Sequence, residues 1–306
     1  MADVQLVFSC DKKYFPLAKG LVLSIQNSGA MLPGFELAFI DLGVTPENLD
    51  WLKDKGVRVV PFNADLLGPL APAAPGHLRA LVLRPFLPVM FPEARALIWL
   101  DSDLWIQDPQ VLHLFGTMAL NHADKIFICP EWHYGYADFN ANFVEFQIDD
   151  LALYYTTLYG EKIAGLMKGR PLLNAGIFSL AAGNPLWEFW KSELQKLYSR
   201  NYGANDLRMR HMAEQTALNV LVARNQMAVQ VDPLFNFMCM YGLPFRDPNG
   251  IVRVPLPPNA PIGTVHMSLF RKNYQLYWDR GLLYDSGKYL TEEEKSLLLP
   301  QPTPPK

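Results

Sequence analysis

A chain of 306 residues, 50% hydrophobic and 19% charged, can bury a substantial core, which excludes wholesale disorder. Its formal net charge of −3 gives no basic field for a nucleic-acid backbone or an anionic membrane, and no run of about 18 uncharged apolar residues is present to span a bilayer. Cys10, Cys129 and Cys239 are odd in number and lack metal-type spacing, which argues against a disulfide framework or a thiolate zinc site and for small buried hydrophobes.

In chain order, residues 4–9 predict a strand, and 16–25 have the helical apolar period. The apolar run at the N-terminus is too short for a signal-peptide core, so a cytoplasmic protein is expected. Residues 35–40 predict a second strand, 47–55 a short helix and 57–60 a third strand, an alternation that implies a parallel sheet with helical crossovers. A helix bent at Pro85 and Pro88 is expected over 78–90, and the uniformly apolar Ala96–Leu100 reads as a central strand. Residues 131–146 are rich in aromatics and Asn without a period and read as a long loop or lid. The core resumes at 173–180, with helices over 185–198 and 211–222, and short strands near 227–231 and 264–266 that would finish the sheet. The fold class expected is α/β: a Rossmann-like, mostly parallel twisted sheet flanked by helices, with an inserted region. No linker or internal repeat divides it, so one domain is expected over 1–280, its nucleotide-binding half over 1–108, followed by a partly flexible extension over 281–306.

The stretch ALIWLDSDLWI places Asp101 and Asp103 between two apolar runs. Carboxylates are costly to bring near an apolar interior unless something pairs with them. At the carboxyl end of a buried strand they lie where open α/β sheets bind ligands, and alternation along an extended chain would face both into one crevice and Ser102 away. Paired hard oxygen ligands suit Mn²⁺ or Mg²⁺. Two enzyme classes put Asp-x-Asp there. Haloacid-dehalogenase-type phosphatases use it as nucleophile and acid/base, but after the first strand and with Thr or Val at the fifth place, where this chain has three earlier strands and Trp105. GT-A glycosyltransferases use it to hold the metal on a sugar nucleotide.

Five segments in order resemble the family 8 glycosyltransferases, the glycogenin and bacterial galactosyltransferase type, over most of residues 4–275. Beside the acid pair, Ser9-Cys10-Asp11-Lys12-Lys13-Tyr14 resembles the opening motif, implying Asp11 at the uracil edge, Tyr14 near the base and Ser9 backbone contacts. Arg84, seventeen residues before Asp101, matches an arginine near the donor phosphates and sugar. Asn174-Ala175-Gly176 resembles the stretch that meets the sugar hydroxyls. Glu214-Gln215-Thr216-Ala217-Leu218-Asn219 resembles Asp-Gln-Asp-x-Leu-Asn, opening a helix that aims Glu214 and Gln215 at the anomeric carbon, with Glu and Thr as departures. His266 and Lys272 match the third metal ligand and a diphosphate-binding lysine, although Leu269 replaces a usual Gly. Read from the residues alone, Asp11 as a helix cap, Arg84 in an ion pair, Asn174 to Gly176 as a strand entry and His266 as a core histidine stay open.

The resemblance implies a hexose moved from a UDP-sugar to a saccharide, lipid-linked or protein acceptor, with retention, by same-face attack or through an intermediate held by Gln215 or Glu214. Mn²⁺ or Mg²⁺ would be held by Asp101, Asp103 and His266. A sugar-nucleotide-binding protein without turnover and the phosphatase are the alternatives. Trp132, His133, Tyr134, Tyr136 and Phe139 are read evenly as an acceptor platform or lid and as core.

Overall fold

The computed structural model describes residues 3–71, 76, 78–136, 149–268 and 290–298. The strand β1 (Val4–Cys10) is buried along its whole length, as a central parallel strand must be when helices cover both faces. The helix α1 (Phe15–Ser28) follows, its entry shaped by Pro16 and its exit by Gly29 in the left-handed conformation, whose N–H closes on the last carbonyls. Next come β2 (Phe35–Asp41), α2 (Pro46–Asp54) capped by the Thr45 hydroxyl, and β3 (Arg58–Pro61).

The helix expected over 78–90 is not one bent rod. Pro85 and Pro88 break it into α3 (Leu78–Val82), a 3₁₀ turn Arg84–Phe86 and α4 (Leu87–Met90), because proline has no N–H to donate and its ring clashes with the preceding turn. The fourth strand, β4 (Ala96–Leu100), is wholly buried, and β5 (Leu104–Ile106) follows after a turn. Then come α5 (Gln110–Asn121), β6 (Ile126–Pro130), α6 (Leu151–Tyr159), α7 (Glu161–Met167), β7 (Leu173–Ala181) and α8 (Leu186–Tyr198). The next helix, α9 (Asp206–Asn225), is longer at both ends than the 211–222 expected. Short strands β8 (Ala228–Gln230), β9 (Phe237–Met238), β10 (Phe245–Arg246), β11 (Val252–Arg253) and β12 (Thr264–His266) precede the helix α10 (Glu292–Leu298).

Seven strands form the central sheet in the order β3-β2-β1-β4-β7-β6-β8. The chain winds outward from β1 to β3 and returns to β4 on the other side, so the ends of β1 and β4 flank a topological switch point. The sheet is mostly parallel, as expected, but not wholly so: β7 runs antiparallel to both β4 and β6. The strand at 264–266 does not finish this sheet either. It lies in a three-stranded sheet, β5-β12-β9, where Leu104 pairs with His266. Two apolar clusters cover the faces of the large sheet, and a third, with Tyr136, Phe237 and Tyr241, surrounds the small one.

Candidate active site

The turn after β4 brings the two acids together. Leu104 N–H donates to Asp101 O at 3.2 Å, so residues 101–103 form a turn and not the extended run expected, and Ser102 too lines the cavity it was expected to face away from. Pairing of β5 with β12 then carries His266 alongside, and Met267 N–H donates to Asp103 O at 3.1 Å. Oxygens of Asp101 and Asp103 and a ring nitrogen of His266 lie within 4.8 Å of one another, with His266 Nε2 3.4 Å from Asp103 Oδ1. Burial alone would lower the His266 pKa, but the carboxylates of Asp103, Asp101 and Glu131 outweigh it and raise it.

Gly176 on β7 makes room for this cluster. A Cβ there would come 2.5 Å from His266 Cε1, 2.6 Å from Asn174 Oδ1 and 3.1 Å from Asp101 Oδ2. Two carboxylates and an imidazole around a space kept open by Gly176 fit a divalent cation.

Arg84 is buried at the break between α3 and α4 and stacks on the Trp99 ring. It donates to Asp101 Oδ1 at 2.5 Å and to Glu214 Oε2 at 2.9 Å. Asp101 Oδ1 also accepts from Trp99 Nε1 at 2.7 Å. Burial holds the Asp101 carboxyl above its usual range in spite of Arg84. Glu214 does not open its helix as expected but lies well inside α9, where it is 1% exposed; burial, opposed by Arg84, pushes its carboxyl up to about 7. Among the described residues its Oε1 has no hydrogen-bond partner.

Gln215 is tied at both ends of its amide: Oε1 accepts from Ala175 N–H at 3.1 Å and Nε2 donates to Glu131 Oε1 at 3.2 Å. Glu131 is a site residue that sequence reading left inside a loop. It is 3% exposed, and it also accepts from Asn174 Nδ2 at 2.6 Å and from Tyr241 Oη at 3.1 Å. Burial raises its carboxyl too. Asn236 was likewise missed; it joins Asn174 to His266 from the turn ahead of β9. Neither residue belongs to a recognisable motif, and a lone polar residue beside aromatics is the one signal either offers.

A cavity of about 670 Å³ unites these groups, lined by Ser9, Asp11 and Tyr14 at the end of β1, by the acid pair, and by Asn174, Gln215 and His266. Asp11 caps its own turn as well, accepting from Lys13 N–H at 2.9 Å and Tyr14 N–H at 3.2 Å. Of the aromatic segment, Trp132 and Tyr134 are exposed, while His133 and Tyr136 pack with Phe237. Lys272, Leu269 and Phe139 lie outside the described residues.

This architecture is that of the GT-A glycosyltransferases. The chain is similar to an active-site variant of LgtC at 16% identity and a TM-score of 0.60, covering 96% of this chain and 100% of that one. The galactosyltransferase LgtC in complex with donor and acceptor sugar analogues matches at 14% identity and a TM-score of 0.55, over 96% and 100% of the chains. Mouse xyloside xylosyltransferase 1 matches at 13% and 0.53, over 88% and 98%. No protein-family model matches the chain, and no curated protein matches it in sequence. Among the described residues, no helix is long and apolar enough to cross a membrane.

Proposed function

We propose that this chain is a metal-dependent glycosyltransferase that moves a hexose from a UDP-sugar to an acceptor hydroxyl with retention of configuration. The observation that carries the reading is the convergence of Asp101, Asp103 and His266 at the switch point of a GT-A sheet. Neighbours of the same fold whose names are galactosyltransferase and xylosyltransferase support the reaction class. A divalent cation held by Asp101, Asp103 and His266 would act as a Lewis acid on the diphosphate leaving group.

The chain's own residues bind and orient. Ser9, Asp11 and Tyr14 line the end of β1, where the uridine belongs, and Asp101 reaches towards ribose and donor sugar. Lys272 is assigned to the diphosphate. Asn174, Ala175 and Gly176 border the sugar, with Gly176 leaving the space a ligand needs. Arg84, held by Asp101 and Glu214, orients both acids and borders the sugar-phosphate junction. The bond between the anomeric carbon and the diphosphate oxygen breaks, the bond to the acceptor oxygen forms, and the acceptor proton leaves with UDP. Gln215 and Glu214 are assigned to that carbon, a reading supported by the hydrogen bonds from Ala175 and to Glu131 that fix the Gln215 amide.

The experiment is donor turnover by wild type and Gln215→Ala, measured as UDP released from UDP-hexoses with Mn²⁺. Gln215→Ala should lower kcat tenfold or more, at about 1.4 kcal/mol per factor of ten, while UDP affinity stays within about twofold, since UDP lacks the sugar. Metal-dependent UDP binding without turnover of any donor would make the chain a sugar-nucleotide-binding protein. Release of phosphate from phosphomonoesters without UDP affinity would make it a phosphatase.

A further inference from the structure

We infer that Asn236 is a positioning residue that fixes the tautomer of His266, keeping the proton on Nδ1 and the Nε2 lone pair turned to the acid pair. The inference rests on the reading of His266 as a metal ligand, and it follows from a chain of hydrogen bonds in which each link has one permitted direction.

The chain starts at groups whose roles are fixed. The backbone N–H of Gly176 only donates, and it lies 2.7 Å from one side-chain atom of Asn174, which must therefore be the oxygen. The other end of that amide, the NH₂, meets Glu131 Oε1 at 2.6 Å, an oxygen that also receives Gln215 Nε2 and so acts as an acceptor. With Asn174 Oδ1 an acceptor, the atom of Asn236 lying 2.8 Å from it must be the NH₂. That leaves Asn236 Oδ1, an acceptor, 2.8 Å from His266 Nδ1, and Nδ1 must carry the hydrogen. In the neutral ring Nε2, 3.4 Å from Asp103 Oδ1, then presents a lone pair. Asn236 and His266 are 1% and 3% exposed, so water does not replace these bonds without opening the site.

Neutral imidazole ligates a metal through the nitrogen that lacks the proton, and the partner of the other nitrogen decides which one that is. Asn236 sits on the turn Pro233–Asn236, and β9 beyond it runs parallel to β12, so the pairing of these two short strands holds the amide against the ring. The same Glu131 oxygen that orients Asn174 also orients Gln215. One buried carboxylate therefore sets both a metal ligand and the amide beside the reacting carbon.

The test is long-range ¹H–¹⁵N correlation on ¹⁵N-histidine-labelled, metal-free protein at alkaline pH, where the imidazole is neutral, with His266 assigned by its absence from His266→Gln. A proton on Nδ1 is expected in the wild type. A proton on Nε2 overturns the inference, and this measurement needs no Asn236 variant to fold. Asn236→Ala should lose the preference and bind Mn²⁺, titrated with UDP present and read by electron paramagnetic resonance, about 10- to 100-fold more weakly. Wild-type Mn²⁺ affinity in a folded Asn236→Ala overturns the positioning role, whereas a wild type that binds no Mn²⁺ overturns the metal site and leaves the tautomer to be judged by its own spectrum.

Discussion

Gly176 is the most constrained position of the site, because three of its neighbours belong to the machinery it serves. His266 is buried and tied to Asn236, and Asp101 is tied to Arg84 and Trp99, so neither side yields easily to a methyl group. Gly176→Ala should therefore cost about 1–3 kcal/mol of stability by overpacking and weaken Mn²⁺ at least about tenfold. Metal titration and thermal melting measure the two effects; an Ala variant with wild-type metal affinity would remove the crowding argument. Glu214 makes a different prediction. Its carboxyl has a raised pKa, about 7, when folded, so between about pH 4.5 and 7 the native state holds a proton that the unfolded chain has released. Stability of the metal-free protein should fall as pH rises through that window. In Glu214→Gln this fall should be shallower, as read from melting temperatures at pH 5 and 7.5 in EDTA; identical slopes would show that Glu214 does not titrate there.

The C-terminal helix α10 depends on one side chain. Glu294 Oε2 accepts from Thr291 N–H at 2.9 Å while Thr291 Oγ1 accepts from Glu294 N–H at 3.2 Å, a reciprocal capping box, and Glu294 Oε1 meets Lys19 Nζ of α1 at 2.6 Å. Lys19 also lies over the Trp51 ring, and the pair is mostly buried. A seven-residue helix has no stability of its own in water. Glu294→Ala should unwind and undock it, and trypsin should cleave at Lys295 several-fold faster. The loss of stability elsewhere is capped at the docking energy, since undocking returns Lys19 to water. An unchanged cleavage rate would contradict this anchoring.

The long elements were legible in the sequence. β1, β2 and β4 are apolar runs whose bounds match the structure within a residue or two, whereas the short helix α10 was not read. The direction of β7 was not legible, because nine consecutive buried residues show burial on both faces and say nothing about parallel or antiparallel pairing. Nor was the small sheet, whose strands of two or three residues are too short for any period. Asp101, Asp103 and His266 were found by motif and order, and the structure brings them together. Glu131 and Asn236 escaped because their role lies in which atoms they face, and a sequence does not record that.

Residues far apart in the chain meet at one place because the sheet reverses its order between β1 and β4 while the β5-β12 pairing folds the later half back onto the turn after β4. The resulting cavity carries two carboxylates beside a histidine, with Glu131 and Glu214 buried behind them. Such a concentration of acids near a ligand expected to be a diphosphate repels it unless a cation lies between. The most direct measurement is therefore calorimetric titration of the protein with UDP in Mn²⁺ and in EDTA. UDP should bind at least about tenfold more tightly in Mn²⁺ than in EDTA, with Asp103→Asn abolishing the difference. Equal UDP affinity in both buffers, or no UDP binding in either, would contradict the metal-dependent donor site.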